Sequence, residues 1–453
     1  MTLARLTLIA TLLASGAAHA APELDFFATD RETPVALDLV GNGDLVLVSD
    51  AADGDSTLVR LDPLGARSGE PRALSGAASD LAVDRRTGHV IVADEAGLAA
   101  FDPGFEPLWR RPLPHPGARV SVGEHGTIAA LAGPELQIFD EYGRQTAALR
   151  PGFAAHELAV VDADDLVAVT GALAANCDDP HDTLAVAAFT RDGAPLWQAH
   201  GDRDECDTAT RGVAISRGGD GLLYLLAEVD GRLPDHLRAR NHVVIDGYTD
   251  PETQNPARAA WFARIDTDGA HLLGQFFGLP ADGSVVRPTA ISADEHGNVF
   301  LAGAASHSLG AADEQTMTAR LDAASGFYQV VEPDFEVRRV WHPIEADGMT
   351  TELTTLAHAN DRVVAILGAT PLPGHPDPAL PEGPSILVWP DDHGPLHAEK
   401  RPDPESQGTF GYESGVSGSD PTCYCSAPAA PAPATLLSLG LVSLALRRRR
   451  SGR

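Results

Sequence analysis

The chain has 453 residues, a formal net charge of -31, 43% hydrophobic and 21% charged residues, and 4 cysteines. That length holds two or three domains or one large repeat domain, and the apolar fraction excludes a wholly disordered chain. Six positive charges (Arg5 and five arginines beyond residue 420) lie at ends that contain no acid, so residues 21–420 carry -37. This excludes sequence-independent nucleic-acid binding and a basic membrane-surface patch on the body.

Residues 1–20 have a basic start at Arg5, an apolar run Leu6–Leu13 and the ending Ala18-His19-Ala20. An Ala-x-Ala ending after such a run predicts a secretory signal cleaved between Ala20 and Ala21, hence export. No cysteine follows the run to suggest an N-terminal lipid anchor.

The body then repeats. Alternating apolar runs flank a Gly, Asp or Asn turn at 35–50, 79–94, 118–133, 156–171, 211–228, 288–303 and 351–368, and each predicts a β-hairpin. A second hairpin follows each one, at 56–71, 96–112, 134–150, 183–201, 259–278, 315–332 and 384–400. Its core is an apolar pair, an Asp (Asp62, Asp102, Asp140, Asp266, Asp322), a Gly turn and an apolar or Trp strand (Trp109, Trp197). These aspartates are expected to bond turn amides, a structural role.

First hairpins recur at intervals of 44, 39, 38, 55, 77 and 63 residues. Four-stranded units at about forty residues predict an all-β, seven-bladed propeller over residues 21–400. The physical reason is that each small sheet has two apolar faces, and radial packing buries both. A β-helix would need shorter rungs, and a sandwich would keep no period. Closure of the ring predicts that Leu24–Phe27 pair with the last blade, beside Leu387–Trp389 or Leu396–Glu399.

The blades resemble known repeats. Asp294-Glu-His-Gly-Asn-Val-Phe is similar to the Asp-x-x-Gly-Asn-x-aromatic pattern of SBBP and NHL-type blades. Residues 101–111 and 189–201, each with a turn Gly before a Trp strand, resemble quinoprotein propeller repeats. The resemblance implies fold, and the vicinal cysteine pair of quinoprotein cofactor sites has no counterpart here.

No Gly-x-Ser-x-Gly elbow, His-Glu-x-x-His, phosphate loop or dinucleotide fingerprint occurs, so no catalytic residue is assigned. His156-Glu157 reads as part of an inner strand. His393 and His397 are separated by a Gly-Pro turn, which spoils a metal pair. Asp178, Asp179 and Asp182, with Asp202, Asp204 and Asp207, present closely spaced hard oxygens of the kind calcium takes; the competing reading is solvated acidic loops, and neither cluster matches an EF-hand. Long segments at 171–182, 200–210, 228–256, 303–314, 332–348 and 368–383 fall in the second-to-third-strand loops and inter-blade connectors, which share one face and favour binding there. Cys177 and Cys206 lie in two such loops and, after export, are expected to form a disulfide.

Residues 401–422 read as a flexible linker. After it come Cys423-Tyr424-Cys425, an Ala/Pro spacer, an apolar run Ala434–Leu446 and Arg447, Arg448, Arg449 and Arg450. The apolar run is short for a membrane helix, and its terminal arginines would stay cytoplasmic. This order of parts resembles the MYXO-CTERM sorting signal, which implies membrane attachment before processing at the Cys motif and then surface display. The whole predicts an exported, non-catalytic binding propeller for an extracellular protein or glycan, without a cofactor. The alternative is a metal-dependent, lactonase-like hydrolase or lyase working in the channel, which would need carboxylates or histidines converging on the axis.

Overall fold

The computed structural model describes residues 25–28, 33–50, 54–63, 65–161, 164–178, 181–201, 203–204, 206, 208–231, 258–269, 271–277, 286–294, 297–305, 325–331, 340–344, 349–359, 362–371 and 384–390. Residues 1–20 and 401–453, with His393 and His397, lie outside these.

The alternating patterns form seven four-stranded antiparallel sheets. The first strand, β1 (Asp25–Ala28), belongs to the last sheet. Blade 1 is β2 (Thr33–Leu39), β3 (Leu45–Asp50), β4 (Ser56–Leu61) and β5 (Arg72–Ala73). Blade 2 is β6 (Ala78–Asp84), β7 (His89–Asp94), β8 (Gly97–Phe101) and β9 (Pro107–Arg111). Blade 3 is β10 (Arg119–Val122), β11 (Ile128–Ala132), β12 (Glu135–Phe139) and β13 (Gln145–Leu149). Blade 4 is β14 (Ala154–Val161), β15 (Leu166–Ala174), β16 (Asp182–Thr190) and β17 (Pro195–His200). Blade 5 is β18 (Thr208–Arg217), β19 (Leu223–Gly231), β20 (Arg258–Ile265) and β21 (His271–Phe277). Blade 6 is β22 (Val286–Ala293), β23 (Val299–Ala305), β24 (Ser325–Val331) and β25 (Val340–Ile344). Blade 7 is β26 (Met349–Ala359), β27 (Arg362–Pro371), β28 (Ser385–Pro390) and, from the other end of the chain, β1.

Pairing of β1 with β28 sets Phe26 opposite Leu387 and Phe27 opposite Ile386, the first of the two closures expected. Blade 6 differs from its sequence reading. Its third strand is Ser325–Val331 rather than the run after Gln315, and its outer strand, Val340–Ile344, lies inside a segment read as loop. The β-run Phe327–Val331 carries no mark of whether it is third or fourth in its sheet, so only pairing decides.

The core consists of seven apolar clusters, one at each interface between neighbouring blades. Val48, Val83 and Val92 join blades 1 and 2, and the last cluster, with Leu37, Leu47, Ile366 and Ile386, joins blade 7 back to blade 1. Each sheet thus buries both faces against its neighbours, as radial packing requires.

Two blades are clamped at the rim by tryptophan. Trp197 on the outer strand of blade 4 lies against the Gly269 turn of blade 5 and donates its Nε1–H to Thr267 O at 2.6 Å. Trp109 of blade 2 does the same to blade 3, at Gly143 and Glu141 O (3.3 Å). Gly269 has φ +84° and a Cβ there would sit 2.7 Å from Trp197 Cδ2. Gly269→Ala is therefore expected to cost about 2–4 kcal/mol, backbone strain and displaced ring together. Gly221→Ala, at φ +80° with nothing within 4 Å, isolates the backbone part at about 1 kcal/mol. Equal losses for the two in denaturant titrations would reject the clamp.

A candidate ligand-binding channel

The innermost strand of a blade is a sheet edge, so its outward N–H and C=O groups face the axis unpaired. Six of the seven inner strands carry a β-bulge, near the start in four and at mid-strand in β18 and β26. The residue after the bulge is Ala36, Asp80, Glu157, Ala214, Ala290 or Thr355, and Arg119 holds the same rung in unbulged β10. These residues line a central cavity of about 550 Å³ to which all seven inner strands contribute. Its wall is lopsided. Blades 1 to 4 supply Asp38, Asp80, Arg119 and Glu157, whereas blades 5 to 7 supply mainly alanines, serines and threonines on the same rungs.

Two of the carboxylates answer the edge. Asp38 accepts from Leu39 N (2.7 Å) and, across the gap, from Val83 N of blade 2 (2.9 Å). Asp80 accepts from Leu81 N and from Val120 N of blade 3, both at 2.9 Å. Among the described residues Glu157 accepts one hydrogen bond, from its neighbour Leu158 N (3.2 Å), and has an ion contact with Arg119 Nε at 3.7 Å. The Arg119 guanidinium makes no hydrogen bond among the described residues; about half its side chain is exposed to the channel.

Burial sets the acid strengths. It pushes Asp80 up to about 6 and Glu157 up to about 7, against the opposing pull of Arg119. Burial also raises Asp38, which Arg85 partly offsets, and it lowers His156, helped by Arg211. Folded Asp80 and Glu157 hold protons more tightly than they would in the unfolded chain. Their contribution to stability is therefore full below the ordinary carboxylate range and is lost as pH rises through about 6 to 7. Thermal melts of Glu157→Gln should match wild type below the ordinary carboxylate range and exceed it by a margin that grows until about pH 7; a variant less stable than wild type throughout would contradict the shift.

The two ends of the channel differ. At the first-to-second-strand turns, Arg217 of blade 5 reaches Glu124 of blade 3 at 2.7 Å. There too Arg85 of blade 2 donates to His358 O of blade 7 at 2.5 Å. Both contacts skip a blade and cross the base. The opposite end carries the loops. There Cys177 and Cys206 form the disulfide expected from their loops, with Cα atoms 5.6 Å apart. Asn176 N donates to Arg203 O (2.7 Å) and Asn176 Nδ2 to Asp204 Oδ1 (3.0 Å), so the blade 4 loop and the following connector are held as one unit.

Of the acidic-loop residues, Asp178, Asp182 and Asp204 are described, while Asp179, Asp202 and Asp207 are outside the described residues. Among the described residues no three His, Cys, Asp or Glu side chains are grouped to hold a metal ion. Ala20, Ala21, Cys423, Cys425 and Arg447–Arg450 are also outside. Three of the second-hairpin aspartates bond turn amides: Asp62 Oδ1 accepts from Ala66 N, Asp102 Oδ1 from Gly104 N and Glu106 N, and Asp140 Oδ1 from Tyr142 N and Arg144 N. Asp266 Oδ1 instead accepts from the Thr267 hydroxyl, and Asp322 is outside the described residues. Sequence reasoning passed over Asp38, Asp80 and Arg119 and took Glu157 for an ordinary strand residue. The signal was available as charge at a rung that is apolar or small in the other first hairpins.

No protein-family model matches the chain, and no curated protein matches it. Among solved structures it is similar to selenomethionine-substituted virginiamycin B lyase from Staphylococcus aureus, with TM-score 0.49 and 11% identity over 81% of this chain and 98% of that one. A catalytically inactive form of that lyase with quinupristin gives 0.46 and 11% over the same shares. KlHsv2 with loop 6CD replaced by a Gly-Ser linker gives 0.44 and 9%, over 75% of this chain and 92% of that one. The seven-bladed ring stands on the strand pairing itself.

Proposed function

We propose that this chain is an exported, non-catalytic binding module, a surface-displayed propeller that takes its ligand through the loop-bearing mouth of the channel. The observation that carries this is the channel wall: charged groups short of partners on one side, small hydroxyl-bearing residues on the other, and arginine contacts across the far end. Export is supported by the signal pattern at residues 1–20 and by a disulfide that suits an oxidising compartment. Display is supported by the linker at 401–422 and the MYXO-CTERM-like tail at 423–453, with Cys423 and Cys425 at the processing site. The SBBP/NHL likeness gains a physical reason, since Asp294 accepts from both Asn298 N (2.7 Å) and Asn298 Nδ2 (2.6 Å).

The test is capture from cell-envelope extracts by the full chain and by Ser121→Trp, which fills the channel. Wild type should retain an extracellular protein or glycan that the variant does not. Equal capture by both would remove the channel from the reading, and no capture by wild type would remove the module. Replacing both Cys423 and Cys425 should block processing of the tail.

A second reading has one observation in its favour. Carboxyls held near neutrality exchange protons at working pH, as a hydrolase or lyase acid–base pair would. Turnover abolished by Asp80→Asn with ligand binding intact would favour it.

A further inference from the structure

The three charged residues on the rung shared with Ala36 and Ala214 alternate in sign around the axis: Asp80 on blade 2, Arg119 on blade 3, Glu157 on blade 4. Three ordinary reasons for such a triad fail. It does not bond the blades through its arginine, because Arg119 makes no hydrogen bond to either acid or to any main-chain group among the described residues, and its one ion contact is 3.7 Å long. It is not a neutral pair, because Asp38 one rung pair away adds a third carboxylate while Arg85 is committed to His358 O and Asp38. It is not a solvated surface patch, because it lines the cavity.

What is left open has a definite shape. A guanidinium offers planar, paired donors that suit a carboxylate. Immediately beside it, Glu157 has an oxygen short of donors, and the local carboxylates outnumber the arginines. A simple anion on Arg119 would face Asp80 and Glu157, the two carboxylates that act on that arginine. A simple cation on Glu157 would leave the arginine without a hydrogen-bonded partner and face its charge. A ligand that carries both charges on adjacent atoms avoids both conflicts. Because Arg119 and Glu157 are only 3.7 Å apart, the two ligand charges must stem from one carbon.

We infer that the channel binds a free α-amino acid, its carboxylate on the Arg119 guanidinium and its ammonium between Glu157 and Asp80. The side chain then points across the cavity toward blades 5 to 7, where Ser292 and Thr355 line the wall with no side-chain hydrogen bond among the described residues. This rests on the channel being the ligand site. An ammonium placed beside two proton-holding carboxyls drives off their protons, so binding releases protons near pH 6 to 7.

The experiment uses the full chain and ligand-observed NMR with L-alanine, L-alanine methyl ester, N-acetyl-L-alanine and L-alanyl-L-alanine at millimolar concentration. L-Alanine is expected to bind at least tenfold more tightly than the other three. Calorimetry in buffers of different ionisation enthalpy should show proton release, and Arg119→Met, checked for an unchanged melt, should abolish L-alanine binding. Equal binding of the acetylated form makes this an anion site, and equal binding of the ester makes it a cation site. Equal binding of the dipeptide breaks the one-carbon requirement, and no binding of L-alanine leaves nothing of the assignment; each overturns it. An envelope partner captured by wild type and not competed by L-alanine would leave the binding module standing and sink only this inference. L-Alanine binding without any captured partner would do the reverse.

Discussion

Deleting Asp25–Ala28 should open the ring and cost about 2–4 kcal/mol, the net worth of a few lost main-chain hydrogen bonds. These four residues are the whole of β1, and they cover the outer edge of β28. Without them Ile386 and Leu387, both fully buried in the intact ring, sit on a strand with an unpaired edge. Exposed edges recruit other chains, so the truncated protein should also self-associate as its concentration rises. Hydrogen exchange should report lost protection in β28 and little change in β11 or β15, on the far side of the ring. Adding a peptide spanning residues 22–30 should restore part of the melting temperature by completing the sheet from outside. An unchanged melt and unchanged β28 protection would mean that closure depends on the apolar interface of blades 7 and 1 alone.

Replacing Cys177 and Cys206 together by serine should cost about 3–4 kcal/mol, because the bridge closes a loop of 29 residues and restricts the unfolded chain. The hydrogen bonds from Asn176 to Arg203 and Asp204 persist without it, so the loops should loosen rather than come apart. Wild type in reductant should then unfold at the denaturant concentration of the double variant. A double variant as stable as oxidised wild type would show that the hydrogen bonds hold these loops unaided.

The ring was legible because propeller blades announce themselves through turn chemistry. Gly43, Gly126 and Gly221 mark the tight turns of first hairpins with positive φ, and the runs on either side alternate cleanly enough to give strand pairs. Closure by Phe26 and Phe27 was legible for a related reason, since an apolar pair outside the hairpins needs a partner. The outer strands were harder. β5 is two residues long and β25 sits in a polar stretch, because an outermost strand buries little and its sequence is weakly constrained. The channel was harder still. Asp80 and Arg119 look like polar positions of half-buried strands until seven inner strands are brought to one axis, and no one hairpin contains that fact.

The bonds that stitch one blade to the next mostly join a side chain on one to the main chain of the other. Asp38 and Asp80 hold Val83 N and Val120 N, Ser79 Oγ donates to Ala118 O, Trp197 Nε1 to Thr267 O, and Thr146 Oγ1 to Arg191 O. A main-chain group is supplied by any residue type, so the receiving position is free to change while the bond survives. Selection then has to guard one partner of each pair instead of two. Such joints tolerate drift and tolerate exchange of whole modules, and blades of one ancestry can diverge past recognition while still fitting the same neighbours. A chain with this kind of seam is able to keep its architecture while its sequence drifts.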